Sequence, residues 1–420
     1  MRDEPLETAG QRIRVGIFID GSEGYGLLSL MESSLRFGDR SRATYVGLFL
    51  GRGEAWDRLA PLCDETVDLG TGALLPLSNP RRSKYNLTNM LAKGVLFVRA
   101  TVRAARAIRL SRLHVVHVHA YPVHLIAGLA CRMAGAPCVW HWHGSIRLTG
   151  AIRAITSRLG LAFLADRIVC ISRFVMGTLP ESLHEKCVVV YNGVNAREIG
   201  EGQRRGELRR RLGLDDRTPL IGIFGSLTPY KGHELFLRAA AFVLKEKPNA
   251  RFGIFGDANE ILRVRYRREE LLRRLSEDLG ISGHVVFAGR IADAPFYMGD
   301  CDVICVPTIP LGIGGEGFGL VVAEAMAAGA LVVSTNCGAP PEIIEDGVSG
   351  LLVPPWDPQA LADAILRLLR DPGCREAMRQ AAWRRVHEHF DVGRMAAAMQ
   401  ALYCEMARRG QGGVAGAGLP

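Results

Sequence analysis

The sequence predicts an α/β chain of two Rossmann-like, doubly wound domains facing across a cleft. Three observations lead there. The chain has 420 residues, more than one ordinary hydrophobic core organises. Short apolar runs alternate with helical stretches, the pattern of a parallel sheet covered on both faces. That alternation breaks once, at 196–217, and then restarts.

The elements follow in order. Residues 1–11 read as a polar leader. "IRVGIFID" (13–20) is a buried-strand pattern that runs into the glycine-rich turn "GSEGYG". "ATYVGLFL" (43–50), "LHVVHVHA" (113–120), "APCVWHWHG" (136–144), "DRIVCISR" (166–173) and "KCVVVYNGV" (186–194) read as further strands. The charged stretch 196–217 reads as a linker. Beyond it, "PLIGIFGS", "ARFGIFGD", "HVVFAGR", "DVICVPT" and "ALVVSTN" are strands with helical segments between them. The expected boundaries are a domain over 12–195, the linker, a second domain over 218–385, a helix over 386–408 packing back toward the first domain, and a disordered Gly-rich tail over 409–420. In open parallel sheets ligands bind outside the carboxyl ends of the strands, so both domains aim at the cleft.

Composition narrows the class. A 48% hydrophobic and 23% charged chain is a soluble globular one. A net charge of +9 suits an anionic partner, or simply a solvated basic surface. No basic platform interleaved with aromatics is present, which argues against nucleic acid. Ten cysteines without a C-x-x-C pair, many in apolar runs, suit buried free thiols in a reducing compartment. "MRDEPLETAGQRIRV" has no apolar signal core, and no apolar run reaches the ~18 residues of a spanning helix, so a cytoplasmic location is expected.

The segment "GGEGFGLVVAEAMAAG" (314–329) carries the most chemistry. Its glycines let backbone approach a ligand closely. A helix then opens, with Gly329 as its stop signal. Free N–H groups and the positive dipole end at such a helix mouth make an anion site suited to phosphates. Glu324, within the helix, leans back toward that mouth. Glu316 and Glu324 lie eight positions apart, up to about 12 Å at helical rise. A glycosidase carboxylate pair spans only about 5–9.5 Å. The spacing fits one group at each end of a bound diphosphate, or equally a solvated loop Glu and a helix Glu paired with an Arg.

"EGFGLVVAE" resembles the paired-glutamate signature of retaining glycosyltransferase family 4. "YNGV" (191–194), "GSLTPYKGHELFLRAA", "VVFAGRIADAPFYMGDCDVICVPT" and "CGAPPEIIEDGVSGLLVPPWDPQALADAI" resemble that family's other segments in order and spacing. The likeness is specific over about 219–369 and weak before 186. It implies the two-domain B-type glycosyltransferase fold and transfer of a sugar from a nucleoside-diphosphate donor to an acceptor hydroxyl with retention. No cofactor beyond the nucleotide sugar and no metal are implied. A glycan or lipid-linked acceptor, in cell-surface polysaccharide or glycoconjugate synthesis, is expected.

The resemblance also implies roles. Glu316 contacts the transferred sugar and Glu324 the nucleotide ribose. The N–H groups of Phe318, Gly319 and Leu320, freed by Gly317, cradle the diphosphate, and Lys231 neutralises it. Gly225 opens the first loop of the second domain. The family's usual Arg after it is here Ser226, which removes a charge-assisted bond worth about 1.5–3 kcal/mol unless Arg290 compensates. Gly21 lets the first loop of the other domain approach donor or acceptor, although "GSEGYG" departs from the family's commoner form.

His114, His117, His119, His124, His141 and His143 fall within thirty residues. No Cys or carboxylate completes a recognisable zinc spacing, so no metal is expected. Core or interface histidines are the plain reading. "HVHAYP" and "HWHG" resemble family segments whose last histidine approaches sugar or acceptor, which singles out His119 and His143 at the ends of adjacent strands. Finally, Arg99, Arg103, Arg106, Arg109 and Arg112 recur at spacings of 4, 3, 3 and 3. They draw a stripe on one helix, either a solvated face or a peripheral contact with an anionic membrane. The rival functions are an epimerase or hydrolase on the same fold, a non-catalytic nucleotide-sugar binder, and a nicotinamide enzyme. Neither glycine loop spells the G-x-G-x-x-G of the last.

Overall fold

The computed structural model describes residues 12–19, 25–70, 87–119, 123–144, 160–257, 267–310 and 315–412. Gly21, with Gly312 and Gly314 of the glycine run, lies outside them, as do the leader and residues 413–420.

Among the described residues, thirteen strands form two parallel sheets. The first contains β1 (Ile13–Ile19), β2 (Ala43–Phe49), β3 (Glu65–Asp68), β4 (Val115–Val118), β5 (Cys138–Trp142), β6 (Arg167–Cys170) and β7 (Cys187–Val189) in the order β3-β2-β1-β4-β5-β6-β7. The second contains β8 (Leu220–Phe224), β9 (Arg251–Phe255), β10 (Val285–Gly289), β11 (Val303–Val306), β12 (Leu331–Thr335) and β13 (Leu351–Val353) in the order β10-β9-β8-β11-β12-β13. The central strands read as unbroken apolar runs because helices cover both faces. β8, β11 and β12 are buried at every position.

Both sheets reverse direction of growth at one point, between β1 and β4 and between β8 and β11. Connections on either side of that point leave for opposite faces, so the loops at the strand ends part and open a crevice. The loops carrying His119 and Lys231 leave from β4 and β8. The sequence pattern thus places the chemistry through topology before any side chain is considered.

Three elements differ from expectation. β3 was missed because "ETVD" is polar. It is an edge strand needing no apolar face, and Glu65 pairs there with Arg14 at 2.6 Å. The segment 196–217 is more ordered than its charge suggests. It forms helices Ala196–Glu201 and Glu207–Arg211, and buried Arg209 bonds Asp302 at 2.8 Å and the carbonyls of Asp215, Thr218 and Asp300. The last helix, Val392–Gly412, runs past the expected start of the tail at residue 409. It packs against helix Tyr25–Phe37, β1 and β4 of the first sheet. Met395, Met399, Leu402, Tyr403 and Met406 join that sheet's core, which ties the end of the chain to its beginning.

Candidate active site

The site starts in the turn after β8. Gly225 has φ +133°, and a Cβ on Gly256 would lie 1.7 Å from its carbonyl oxygen, so the two turns can pack only as glycines. A short 3-10 turn, Pro229–Lys231, then ends at Gly232. A side chain on Gly232 would lie 1.8 Å from the Pro307 carbonyl, so the β8 turn is pressed against the end of β11. This packing delivers Lys231 Nζ to 2.6 Å from Glu316 Oε2. The Thr308 hydroxyl donates to the same oxygen at 3.3 Å. The lysine and glutamate side chains are only 17% and 12% exposed. Burial works against the ammonium, but Glu316, together with Tyr230 and Glu324, outweighs it and holds the Lys231 pKa above its ordinary value.

Glu316 is fixed from behind as well. Its backbone pairs with Gly338, and Ala339 N donates to its carbonyl at 2.8 Å. Gly319, at φ +94°, starts helix Leu320–Ala327, whose first N–H groups have no carbonyl a turn earlier to bond. The Glu316 side chain folds over that start, with its Cγ 3.3 Å from where a Cβ on Gly319 would sit. Phe318 is buried, its ring 6.2 Å from Tyr191 and 5.8 Å from Phe390. Glu324, one turn on, is driven by burial up to about 7, with Lys231 pulling the other way. Lys231 therefore stands in the field of both glutamates, a convergence invisible in their spacing alone.

The first sheet meets this loop. A Cβ on Gly317 would lie 3.0 Å from the His143 carbonyl oxygen, and the Ser172 hydroxyl donates to the Gly317 carbonyl at 2.6 Å. β4 and β5 are neighbours, and His119 and His143 follow their last residues. His119 Nδ1 and His143 Nε2 are 3.3 Å apart. Behind them, His117 Nε2 lies 3.2 Å from His141 Nδ1, and His117 Nδ1 lies 2.7 Å from the Tyr403 hydroxyl. Burial lowers all four histidines, His119 to about 3, and their mutual repulsion adds to it. They are neutral at pH 7. His117, His119 and His141 bring ligand atoms within 4.8 Å of one another and are the described residues that could gather round a metal ion. His117 stacks on His141 at 17° and shares hydrogen bonds with it and with Tyr403, while His119 pairs with His143. The geometry is that of a hydrogen-bonded stack of neutral imidazoles.

Other expected residues lie further out. Ser226 is exposed, 3.3 Å from the Thr228 hydroxyl. Arg290 is exposed just past β10, two strands from β8. The arginine stripe shortens, because the helix Leu87–Leu110 ends before Arg112, which takes φ +48°. Arg99, Arg103, Arg106 and Arg109 remain exposed along it. Thr308, Ser172 and Tyr403 were missed. Hydroxyls on distant segments carry no spacing signal.

Known proteins resemble this chain in sequence and in fold. Residues 66–198 match the family described as Glycosyltransferase Family 4, and residues 204–385 match Glycosyl transferases group 1. A D-inositol 3-phosphate glycosyltransferase of Acidothermus cellulolyticus is 31% identical over 316 residues, 70% of this chain and 68% of that protein. A GDP-mannose-dependent alpha-(1-6)-phosphatidylinositol monomannoside mannosyltransferase of Mycolicibacterium smegmatis is 29% identical over 269 residues, 62% of this chain and 68% of that one. The crystal structure of Anabaena HepE in complex with UDP superposes with a TM-score of 0.74 at 20% identity, covering 94% of this chain and all of that one.

Proposed function

The chain belongs to the group 1, family 4 glycosyltransferases and transfers a sugar from a nucleoside-diphosphate sugar to an acceptor; from that premise we propose how its residues do so, and on what kind of acceptor. The observation that carries the reading is the Lys231–Glu316 pair at the mouth of helix Leu320–Ala327. An incoming diphosphate meets one buried cation and the N–H groups at the helix mouth, those of Phe318, Gly319 and Leu320 among them. Lys231 exchanges part of its bond to Glu316 for the phosphate oxygens, where charge grows as the glycosidic bond breaks. Glu316, relieved of part of that bond, accepts from the sugar hydroxyls. Glu324, deprotonated, accepts from the ribose diol. His119 and His143, neutral at pH 7, face the same space as acceptor-side hydrogen-bonding groups. Transfer with retention then uses the leaving phosphate itself to take the acceptor proton.

A second observation bears on the acceptor. From Leu69 to Ala165, 97 residues, the chain has no Asp or Glu and thirteen Lys or Arg. The helices Leu87–Leu110 and Val123–Ala134 also expose Val95, Val98, Val102, Leu129 and Met133. No helix among the described residues is long and apolar enough to cross a membrane. Basic charge interleaved with exposed apolar side chains favours peripheral contact with an anionic lipid surface and a lipid-linked acceptor. The test is a thermal-shift screen of UDP-, GDP- and ADP-sugars, followed by turnover of the best donor with Glu316→Ala. Turnover of that variant at the wild-type rate would remove Glu316 from the reaction. Sedimentation with phosphatidylserine vesicles, lost in Arg99→Glu/Arg106→Glu, tests the membrane contact.

A further inference from the structure

Glu342 belongs to no expected site, yet its carboxylate gathers three donors from the other half of the chain. Arg173 N donates to Oε2 at 2.9 Å, Phe174 N to Oε1 at 2.7 Å, and the Tyr191 hydroxyl to Oε2 at 2.9 Å. Arg173 and Phe174 open helix Arg173–Gly177 directly after β6, where no preceding carbonyl is in reach of their N–H groups. Glu342 thus satisfies the start of a helix that belongs to the opposite sheet. Burial and the bond to Glu342 raise the Tyr191 phenol to about 12, so it stays a donor.

The grip continues into the site. Glu342 lies in the short helix Pro340–Ile343, which follows Gly338 and Ala339. Those two residues hold the Glu316 backbone, through the Glu316–Gly338 pairing and the Ala339 N bond of 2.8 Å. Gly338 has φ +92°, and a Cβ there would lie 2.4 Å from the Glu316 carbonyl oxygen, so the two backbones are in direct contact and only glycine fits. Arg385 pins the far side by bonding the carbonyls of Glu342 and Ile343. One residue from Arg173, Ser172 draws the Gly317 carbonyl toward β6 at 2.6 Å. In a trans peptide the C=O and the following N–H point in opposite directions, so this bond turns the Phe318 N–H away from Ser172.

We infer that Glu342 is a positioning residue: it latches the two sheets together across the cleft and, through Gly338 and Ala339, sets Glu316 where the sugar is transferred. Closure and catalytic geometry are then one event. When the sheets part, the latch bonds break and the Glu316 loop loses its fixed backing. The last link, from geometry to turnover, rests on the role proposed above for Glu316; the latch itself does not.

The experiment uses the full chain as wild type, Glu342→Ala and Tyr191→Phe. Amide exchange over 172–177 and 315–319, small-angle scattering, and donor turnover are measured together. Glu342→Ala is expected to exchange faster in both segments, to scatter with a larger radius of gyration, and to lose roughly tenfold to 100-fold in kcat. Its affinity for UDP or GDP alone should stay near wild type, since Lys231 and helix Leu320–Ala327 are untouched. Tyr191→Phe keeps the two backbone donors and should fall between. Wild-type exchange in Glu342→Ala, or wild-type kcat with faster exchange, would overturn the inference. If no donor turns over with the wild-type chain, the proposed chemistry fails while exchange and scattering still decide the latch.

Discussion

Lys231 Nζ lies 2.6 Å from Glu316 Oε2, a bond between two strand-to-helix loops 85 residues apart in sequence. Each side chain is the other's main countercharge in a nearly closed space. Removing one strands the other.

Lys231→Met is therefore expected to destabilise the chain by about 3 kcal/mol, the cost of a buried charge left unpaired. Lys231→Met/Glu316→Gln should recover part of that loss. Thermal denaturation measures both. The double variant being less stable than Lys231→Met would show that the pair is not coupled. Nucleoside diphosphate binding, read by calorimetry, should be lost in both variants and kept in Glu316→Gln alone.

Glu324 gives donor binding a pH dependence. Its pKa of about 7 lies above the ordinary glutamate value, so the folded chain holds a proton there that the unfolded chain has released. That contribution to stability is present below about pH 4.5 and fades as pH rises through 7. The ribose diol needs the carboxylate, so donor KM should fall between pH 6 and 8 with an inflection near 7. Glu324→Gln should flatten the profile. An unchanged profile in that variant would assign the inflection to another group.

The histidine stack makes the chain acid-labile. His119 and His124 titrate near 3 in the folded chain, and near 6.5 once unfolded. Between those values the unfolded state binds more protons, so stability is full above pH 6.5 and falls as pH drops. The loss is about 1.4 kcal/mol per pH unit for each such histidine. His124 stacks on Trp140 at 4.6 Å, so His124→Phe keeps the ring packing while removing one titrating group. The fall in melting temperature from pH 6.5 to 5.5 should be smaller in that variant, and an equal fall would clear His124 of the effect.

Ser226 leaves room for a gain. It is exposed in the turn after β8 that also carries Lys231. Ser226→Arg should tighten UDP or GDP binding by roughly 10- to 150-fold, the worth of one charge-assisted bond to phosphate. Unaltered affinity by calorimetry would mean that the turn aims this side chain away from the diphosphate.

Much of this protein was legible in its residues. Apolar runs of strand length and their regular alternation with helices determine two parallel sheets, because burial on both faces keeps central strands mostly apolar, with neutral polar exceptions such as His117 and His141. The glycine run before "LVVAEAMAAG" determines a helix mouth suited to an anion, because Gly319 must take a left-handed turn there. β3 escaped because an edge strand needs no apolar pattern. The tertiary structure alone decided which charges meet. Lys231 reaches Glu316 because Gly232 lets two turns touch, and Glu342 reaches Arg173, Phe174 and Tyr191 because the sheets face each other. Periodicity reports the face a residue presents, and electrostatics and hydrogen bonds depend on distance, which only the packed chain sets.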